Sequence, residues 1–396
     1  MRIGLFGQFG SGNTGNDGSL EAMLQLLKRI CPGAQFICIC SRPDIISEKF
    51  QIEATPVGKP ASNNAFLRML DKALLQFPRR LSGFLGAMAL ANGIDLIVVP
   101  GTGILDDFNE DPFGWPFAIL RWSVAARLGG AQFAFVSIGA GPVTHPLSRF
   151  FIGKASKIAA YRSYRDQVSY DFMRSLNVSV TKDVVSADIA FSLPTPEDEL
   201  RNSADQRVGL GIMTYKGWKK RALDGEAIYD NYLNKMTQLI SELLTDGRQV
   251  RLLTGDTGDL DAIHDLRQRI PQPHAHNVIF EPITSLDVLM QQIAKTDIVV
   301  ASRYHNIVCA LAMGRPALSL GYARKNDALL NDTGLSEFCH HIESFDPQTV
   351  LGQIDNMFSR REELAKTVEV GVKHYRQKLA EQEESLRVNL LMKSRL

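Results

Sequence analysis

The sequence predicts an α/β fold of two doubly wound domains facing a cleft. Three observations predict it. The chain has 396 residues, and a domain usually takes ~100–200. Strand-length apolar runs alternate with segments of helical period along most of the chain. The alternation breaks once, at residues 193–207 (LPTPEDELRNSADQR), which are charged, contain proline and carry no apolar period. The expected layout is a first domain at 1–193, a linker at 194–207, a second domain at 208–345, and C-terminal helices at 346–396 that pack back across the domains. Ligands of such sheets bind outside the carboxyl ends of the strands, so the loops after strands are where chemistry is expected.

The elements follow in order. Ile3–Phe6 is a short apolar strand, and Asp17–Ile30 repeats apolar residues at Leu20, Met23, Leu24 and Leu27. Gln35–Ile39 is the next strand. Asp95–Val99 is continuously apolar after its first residue, as in a strand buried on both faces of a parallel sheet. Phe117–Leu128 is a helix, Phe133–Ser137 a strand and Leu147–Ala159 a helix. The second series runs Val208–Met213, Ile228–Leu244, Val250–Leu253, Leu260–Ile270, Val278–Phe280, Leu286–Ile293, Asp297–Val300, Asn306–Met313 and Ala317–Leu320, strand and helix by turns. Arg360–Arg395 is long, charged and helical.

Composition narrows the function. Lys and Arg total 44 and Asp and Glu 43, a formal net charge of +1, which argues against a general nucleic-acid binder. A local basic pocket for a small anion remains compatible with it. The five cysteines show neither a CxxC pair nor zinc-ligand spacing, so they read as buried small hydrophobes of a reducing compartment, and no metal is expected. The apolar stretch at the N-terminus is short for a signal peptide, and no run reaches the ~18 apolar residues of a membrane span. A cytoplasmic enzyme is the expectation.

The loop Gly7–Gly18 (GQFGSGNTGNDG) joins a strand to a helix with five glycines. Its spacing matches neither phosphate-binding signature. Gly10, Gly12, Asn13 and Asp17 are its candidate ligand contacts, at a helix start suited to an anion or a polar sugar group. The alternative is a tight turn with Asp17 as helix cap. After the strand DLIVV, Gly101 and Gly103 permit close backbone approach and Asp106 offers a carboxylate. Ser137–Pro142 is a third glycine-rich strand end. Arg162 and Arg165 flank a strand-to-helix junction with Asp166 as N-cap, and either pair with Asp or grip an anion. Asp188, in an apolar setting, reads as a buried hydrogen-bonded anchor.

The densest constellation lies in the second domain. Arg303 and His305 follow one strand at a helix start, and Lys325 follows the next strand. Cations around a group that titrates near neutrality suit a small di- or trianion whose reaction needs proton transfer. A different feature is Phe66–Leu90, where apolar residues mix with Arg68, Lys72, Arg79 and Arg80 against one acid, Asp71. It reads as a helix covering the sheet or as a basic amphipathic stretch resting on an anionic membrane.

The segments FGSGNTGND, DLIVVPGTGILDD, FVSIGAGP, YRDQVS, SADIAF and, above all, DIVVASRYHNIVCALAMGRPALSLGYARK resemble the polysaccharide pyruvyl transferase family over residues 1–345. The resemblance implies two Rossmann-like domains in a glycosyltransferase-B-like arrangement. The first would be the acceptor side and the second the phosphoenolpyruvate side. It implies transfer of a pyruvyl group from phosphoenolpyruvate to a saccharide, lipid-linked or free, as a ketal in exopolysaccharide or cell-surface polysaccharide biosynthesis. No cofactor is implied. His305 matches the family's general acid, Arg303 its anion-binding arginine and Lys325 its phosphoenolpyruvate-contacting lysine. Gly15-Asn16-Asp17 departs from the Gly-Asp-Glu of many members, and Asp17 and Asp106 are both candidates for the base. If the acceptor is lipid-linked, a peripheral site at the inner membrane face follows.

Two rivals are a nucleotide-sugar glycosyltransferase and a non-catalytic sugar-binding protein of the same fold. The first resembles E-A-x-x-x-G-x-P in its second domain, and here Cys309 stands where that glutamate would. The second gives no reason for Arg303, His305 and Lys325 to occur together.

Overall fold

A computed structural model describes residues 1–60, 63–73, 76–197, 206–218, 223–270 and 277–391. Residues 198–205 of the expected linker, Leu74 and Leu75 of the basic amphipathic stretch, and the last five residues lie outside the described residues. The chain divides into two compact units. One comprises Met1–Ser11, Ser19–Ser186 and Ala380–Leu396, and the other Gly12–Gly18 and Ala187–Leu379.

The first unit is built on a parallel sheet. Its elements begin with β1 (Arg2–Gly7), α1 (Thr14–Ile30, whose first residues count with the second unit), β2 (Gln35–Cys40), α2 (Pro43–Phe50) and β3 (Glu53–Pro56). There follow α3 (Ala65–Ala73), α4 (Phe77–Ala91), β4 (Leu96–Pro100), α5 (Trp115–Gly129) and β5 (Gln132–Ile138). The unit continues with α6 (Pro146–Ile158), β6 (Tyr161–Tyr164), α7 (Gln167–Ser175) and β7 (Val184–Val185). The seven strands lie in the order β3-β2-β1-β4-β5-β6-β7. Every residue of β4 is buried, as its unbroken apolar run requires of a strand covered on both faces. The apolar stripe of α1, Leu20, Met23, Leu24 and Leu27, is buried as its spacing predicts.

The second unit repeats the plan. It holds β8 (Arg207–Gly211), α8 (Gly225–Thr245), β9 (Gln249–Leu253), α9 (Asp259–Arg269) and β10 (Val278–Phe280). Next come α10 (Leu286–Ala294), β11 (Ile298–Ala301), α11 (Tyr304–Ala312), β12 (Ala317–Gly321), α12 (Arg324–Asp332) and β13 (Cys339–His341). The last helices are α13 (Pro347–Ser359) and α14 (Arg361–Leu386), the residues of α14 from Ala380 onward counting with the first unit. The parallel order is β10-β9-β8-β11-β12-β13. Both orders run outward in opposite directions from the first strand, the doubly wound Rossmann pattern, whose switch points lie between β1 and β4 and between β8 and β11. The elements not read from the sequence include edge strands. β7 has two residues and β13 is Cys-His-His, half-exposed. Strands this short and partly exposed need no long apolar run.

Four of the five cysteines are buried as read, while Cys339 is half-buried on edge strand β13. Asp166 caps α7, its carboxylate accepting from the Ser169 N–H. Of the two arginines at that junction, Arg162 is structural. Its Nε and Nη2 donate to both oxygens of Asp183 at 2.8 Å, and it also donates to the carbonyls of Ser156, Ala159 and Ser179. Asp183 in addition accepts from the Tyr164 hydroxyl at 2.8 Å. Burial, and then the Asp183 charge, hold the Tyr164 phenol far above its ordinary pKa. Removing the carboxylate would strand a buried guanidinium. Asp183→Ala is expected to cost about 3–5 kcal/mol, read as a lower urea midpoint at unchanged slope. A midpoint equal to the parent's would remove this pair from the account of the fold.

Candidate functional site

The second unit gathers its polar side chains at the carboxyl ends of β8, β9 and β11, the switch point of the sheet. The chain leaves β9 as Thr254-Gly255-Asp256-Thr257-Gly258 and enters α9 at Asp259. Asp259 is fully buried. Its carboxylate accepts four hydrogen bonds. Arg303 Nε and Nη2 donate at 3.0 and 2.5 Å, and the Thr214 and Gly255 N–H groups at 3.1 and 3.2 Å. One side chain thus ties together the loops after all three strands. Burial works against the Arg303 charge, and the attraction of Asp259 outweighs it, so the guanidinium stays above its ordinary pKa. Arg303 is therefore the cationic half of a bidentate pair rather than an isolated anion receptor, with 16% of its side chain still exposed.

His305 lies in the first turn of α11, two residues after Arg303. Its Nε2 stands 3.7 Å from the carboxylate of Asp188. Asp188 is buried, as read from its apolar setting, and its other oxygen accepts from the Ala190 N–H at 3.0 Å. The opposite side of the imidazole meets the segment Gly12–Gly18 within the same unit. A methyl group on Gly15 would fall 1.9 Å from His305 Nδ1. Only a residue without a side chain lets the first turn of α1 approach this closely. The segment is fastened to the loop after β9. Thr14 N–H and Oγ1 both donate to the Gly255 carbonyl at 3.0 Å, and the Thr257 N–H donates to the Gly12 carbonyl at 3.1 Å. Gly12 has φ of +99°, and a methyl there would lie 2.2 Å from Thr257 Oγ1.

Two helix starts, of α1 and α11, thus meet at one imidazole. Each carries partial positive charge from its unsatisfied N–H groups. With Arg303 alongside, the place suits an anion next to a proton donor.

Asp17 is not the cap of α1, as one reading of its sequence had it. The helix begins at Thr14, and the Asn13 side chain accepts from the Asn16 N–H at 3.1 Å. Asn is as good a cap as Asp, and a start three residues earlier leaves Asp17 buried inside the first turn. Lys325, in the first turn of α12, has its Nζ 5.0 Å from the Tyr322 ring. The Tyr322 phenol in turn is close enough to Arg303 to act on its charge. Gly12, Asn13, Asp17, Arg303, His305 and Lys325 all belong to the second unit.

The other candidates belong to the first unit. Gly10 has φ of +72° and packs on Arg42. Gly101 donates to the Val136 carbonyl at 2.8 Å and accepts from Ser19 Oγ at 3.1 Å. Gly103 is half-buried. Asp106 accepts from the Phe108 N–H at 3.2 Å, a local turn contact, and its neighbour Asp107 is held by Thr144 and His145. Arg165 is buried, with Nε 3.5 Å from the Asp166 carboxylate and its guanidinium over Gly139.

Sequence reading missed Asp259, and it did not connect Asp188 to His305. The signal for Asp259 was present, since TGDTGD is another glycine-rich strand end with acids. Asp259→Asn removes the charge facing Arg303 and should destabilise the chain by about 3–5 kcal/mol, measured by denaturant unfolding. Gly15→Ala should displace the imidazole and lower the melting temperature. A Gly15→Ala protein as stable as the parent would show that the contact yields without strain.

The family model of polysaccharide pyruvyl transferases matches residues 13–324. The amylovoran biosynthesis protein AmsJ of Erwinia amylovora is 20% identical over 230 residues, 54% of this chain and 54% of that protein. The match thus spans about half the length of that curated relative. Among solved structures, the UDP-GlcNAc 2-epimerase of Methanocaldococcus jannaschii is similar with a TM-score of 0.59 at 11% identity, covering 90% of this chain and 92% of that one. Anabaena Alr3699/HepE, solved with UDP and glucose, gives 0.56 at 13%, covering 98% and 100%. The lipopolysaccharide outer core galactosyltransferase WaaB gives 0.55 at 12%, covering 96% and 100%. At these identities the likeness is one of fold.

Proposed function

This chain belongs to the polysaccharide pyruvyl transferase family, and on that premise we propose that it moves a pyruvyl group from phosphoenolpyruvate to two hydroxyls of a saccharide. The product is a pyruvate ketal in the assembly of an exopolysaccharide or other surface polysaccharide. The observation that carries the reading is His305, set between Asp188 and two helix starts beside the Arg303–Asp259 pair.

Phosphoenolpyruvate bears a carboxylate and a phosphate, which the helix starts, Arg303 and Lys325 would neutralise. Protonated His305 gives its proton to the methylene carbon, which becomes the methyl group, and the neighbouring carbon gains oxocarbenium character. Asp188 stabilises the protonated imidazole. A sugar hydroxyl attacks that carbon, and Asp17, which belongs to the same unit as His305, takes the hydroxyl proton. Phosphate leaves with the C–O bonding pair and takes up the proton held by the carboxylate, and a second hydroxyl of the sugar closes the ketal, its proton returning to His305. The name of AmsJ, which ties it to amylovoran biosynthesis, supports a polysaccharide acceptor. A lipid-linked form of that acceptor would place the work at the inner membrane face.

A nucleotide-sugar donor is the weaker reading, although similar folds are solved with UDP. Cys309 is buried, and burial, with Asp188 nearby, pushes its thiol well above the ordinary range, so it offers no anionic acceptor for a ribose.

Phosphoenolpyruvate is expected to raise the melting temperature while UDP-sugars leave it unchanged. With a suitable saccharide it should also release inorganic phosphate. His305→Ala should lower that rate about 10²–10⁴-fold in a protein that melts near the parent. Stabilisation by a UDP-sugar and not by phosphoenolpyruvate would reject the reading in favour of its rival.

A further inference from the structure

The first unit carries a surface the transfer reaction does not use. We propose that the face formed by α3, α4, the start of α5 and α6 docks on an anionic phospholipid surface. This inference does not rest on the identity of the donor.

Each of its elements carries exposed apolar side chains. Phe66 and Met69 of α3 are 65% and 63% exposed, and Phe77 of α4 is 67% exposed. Leu81 of α4, Phe113 before α5 and Phe150 of α6 are also exposed. Arg79 of α4 pairs with Asp71 of α3 at 3.1 Å. The Arg80 guanidinium lies 4.3 Å from the Phe113 ring centre. Phe113 stacks edge-on against Phe151, which neighbours Phe150. These contacts hold neighbouring elements of the face together, and several large exposed apolar residues on adjoining elements are more than the single ones a soluble monomer ordinarily scatters.

Charge selects the occupant. Helices α3 to α6 hold nine Lys or Arg residues and one acid, Asp71, in a chain whose net charge is +1. Asp71 is already offset by Arg79, and the acids closest in sequence outside the helices are Asp95 after α4 and Asp111 before α5. Arg121 is committed to the Val57 carbonyl. Arg68 and Lys154 are exposed, and the Lys154 ammonium lies 5.5 Å from the exposed Phe150 ring. Aromatic rings beside cations, with no acid left unpaired on the helices, match an interface of anionic headgroups over acyl chains. No described helix is long and apolar enough to cross a membrane, so the contact would be one of docking.

The test is co-sedimentation of the full chain with phosphatidylcholine vesicles, with and without phosphatidylglycerol, at low and high salt. Binding is expected only with phosphatidylglycerol and should weaken as salt rises. Phe66→Ser/Phe77→Ser/Phe150→Ser and Arg68→Glu/Lys154→Glu should each reduce it about tenfold or more. Both variants change exposed residues and should keep the parent's melting temperature and its activity on a soluble saccharide. Absence of binding at low salt, or variants that bind like the parent, would overturn the proposal. So would a parent that ignores vesicles but dimerises through this face, with the triple variant monomeric. Loss of the soluble reaction alone would count against the transfer reading and leave the vesicle result standing.

Discussion

The Asp259 carboxylate is the constraint on which the second unit's site depends. It is fully buried and accepts from Arg303 and from two backbone N–H groups of different loops. A buried carboxylate or a buried guanidinium alone would be costly, and together, with the N–H groups, they satisfy one another. The result is a fixed geometry for three strand ends. The Gly12–Gly18 segment is hung on one of those loops through Gly255 and Thr257, so the approach of Gly15 to His305 inherits its position from the same pair.

That pairing changes the electrostatics expected of the site. Arg303 and Asp259 are together formally neutral. What remains for an anion is the outward part of the guanidinium, the starts of α1 and α11, and Lys325 farther along. Helix starts act through fixed N–H groups that need little reorganisation when charge develops. Asp188 faces the imidazole from its other side, its carboxylate 3.7 Å from Nε2.

The near-zero net charge conceals an uneven distribution. Basic residues dominate α3 to α6 of the first unit, and the acids that balance them lie elsewhere. Asp261 is in the first turn of α9, and Glu362 and Glu363 are in that of α14. Acids in first turns complement the helix dipole. The whole-chain total therefore spoke to bulk nucleic-acid binding and was silent about local surfaces.

The two parallel sheets were legible because a strand covered on both faces must be continuously apolar, as in LIVVP of β4. Strands β7 and β13 were not, since they are two and three residues long and partly exposed. Arg303, His305 and Lys325 were legible as strand-end residues for the same reason that the strands were. Asp17 was read one turn off, because a cap and a first-turn acid look alike until backbone bonds decide between Asn13 and Asp17. By itself, then, the sequence determined the α/β class, the places where strands end, and the residue types waiting there. Only the tertiary structure decided the partners: Asp259 for Arg303, Asp188 and Gly15 for His305, and Asp183 for Arg162. Local periodicity encodes which residues face a core, while pairing between distant loops is set by the order in which strands assemble into the sheet.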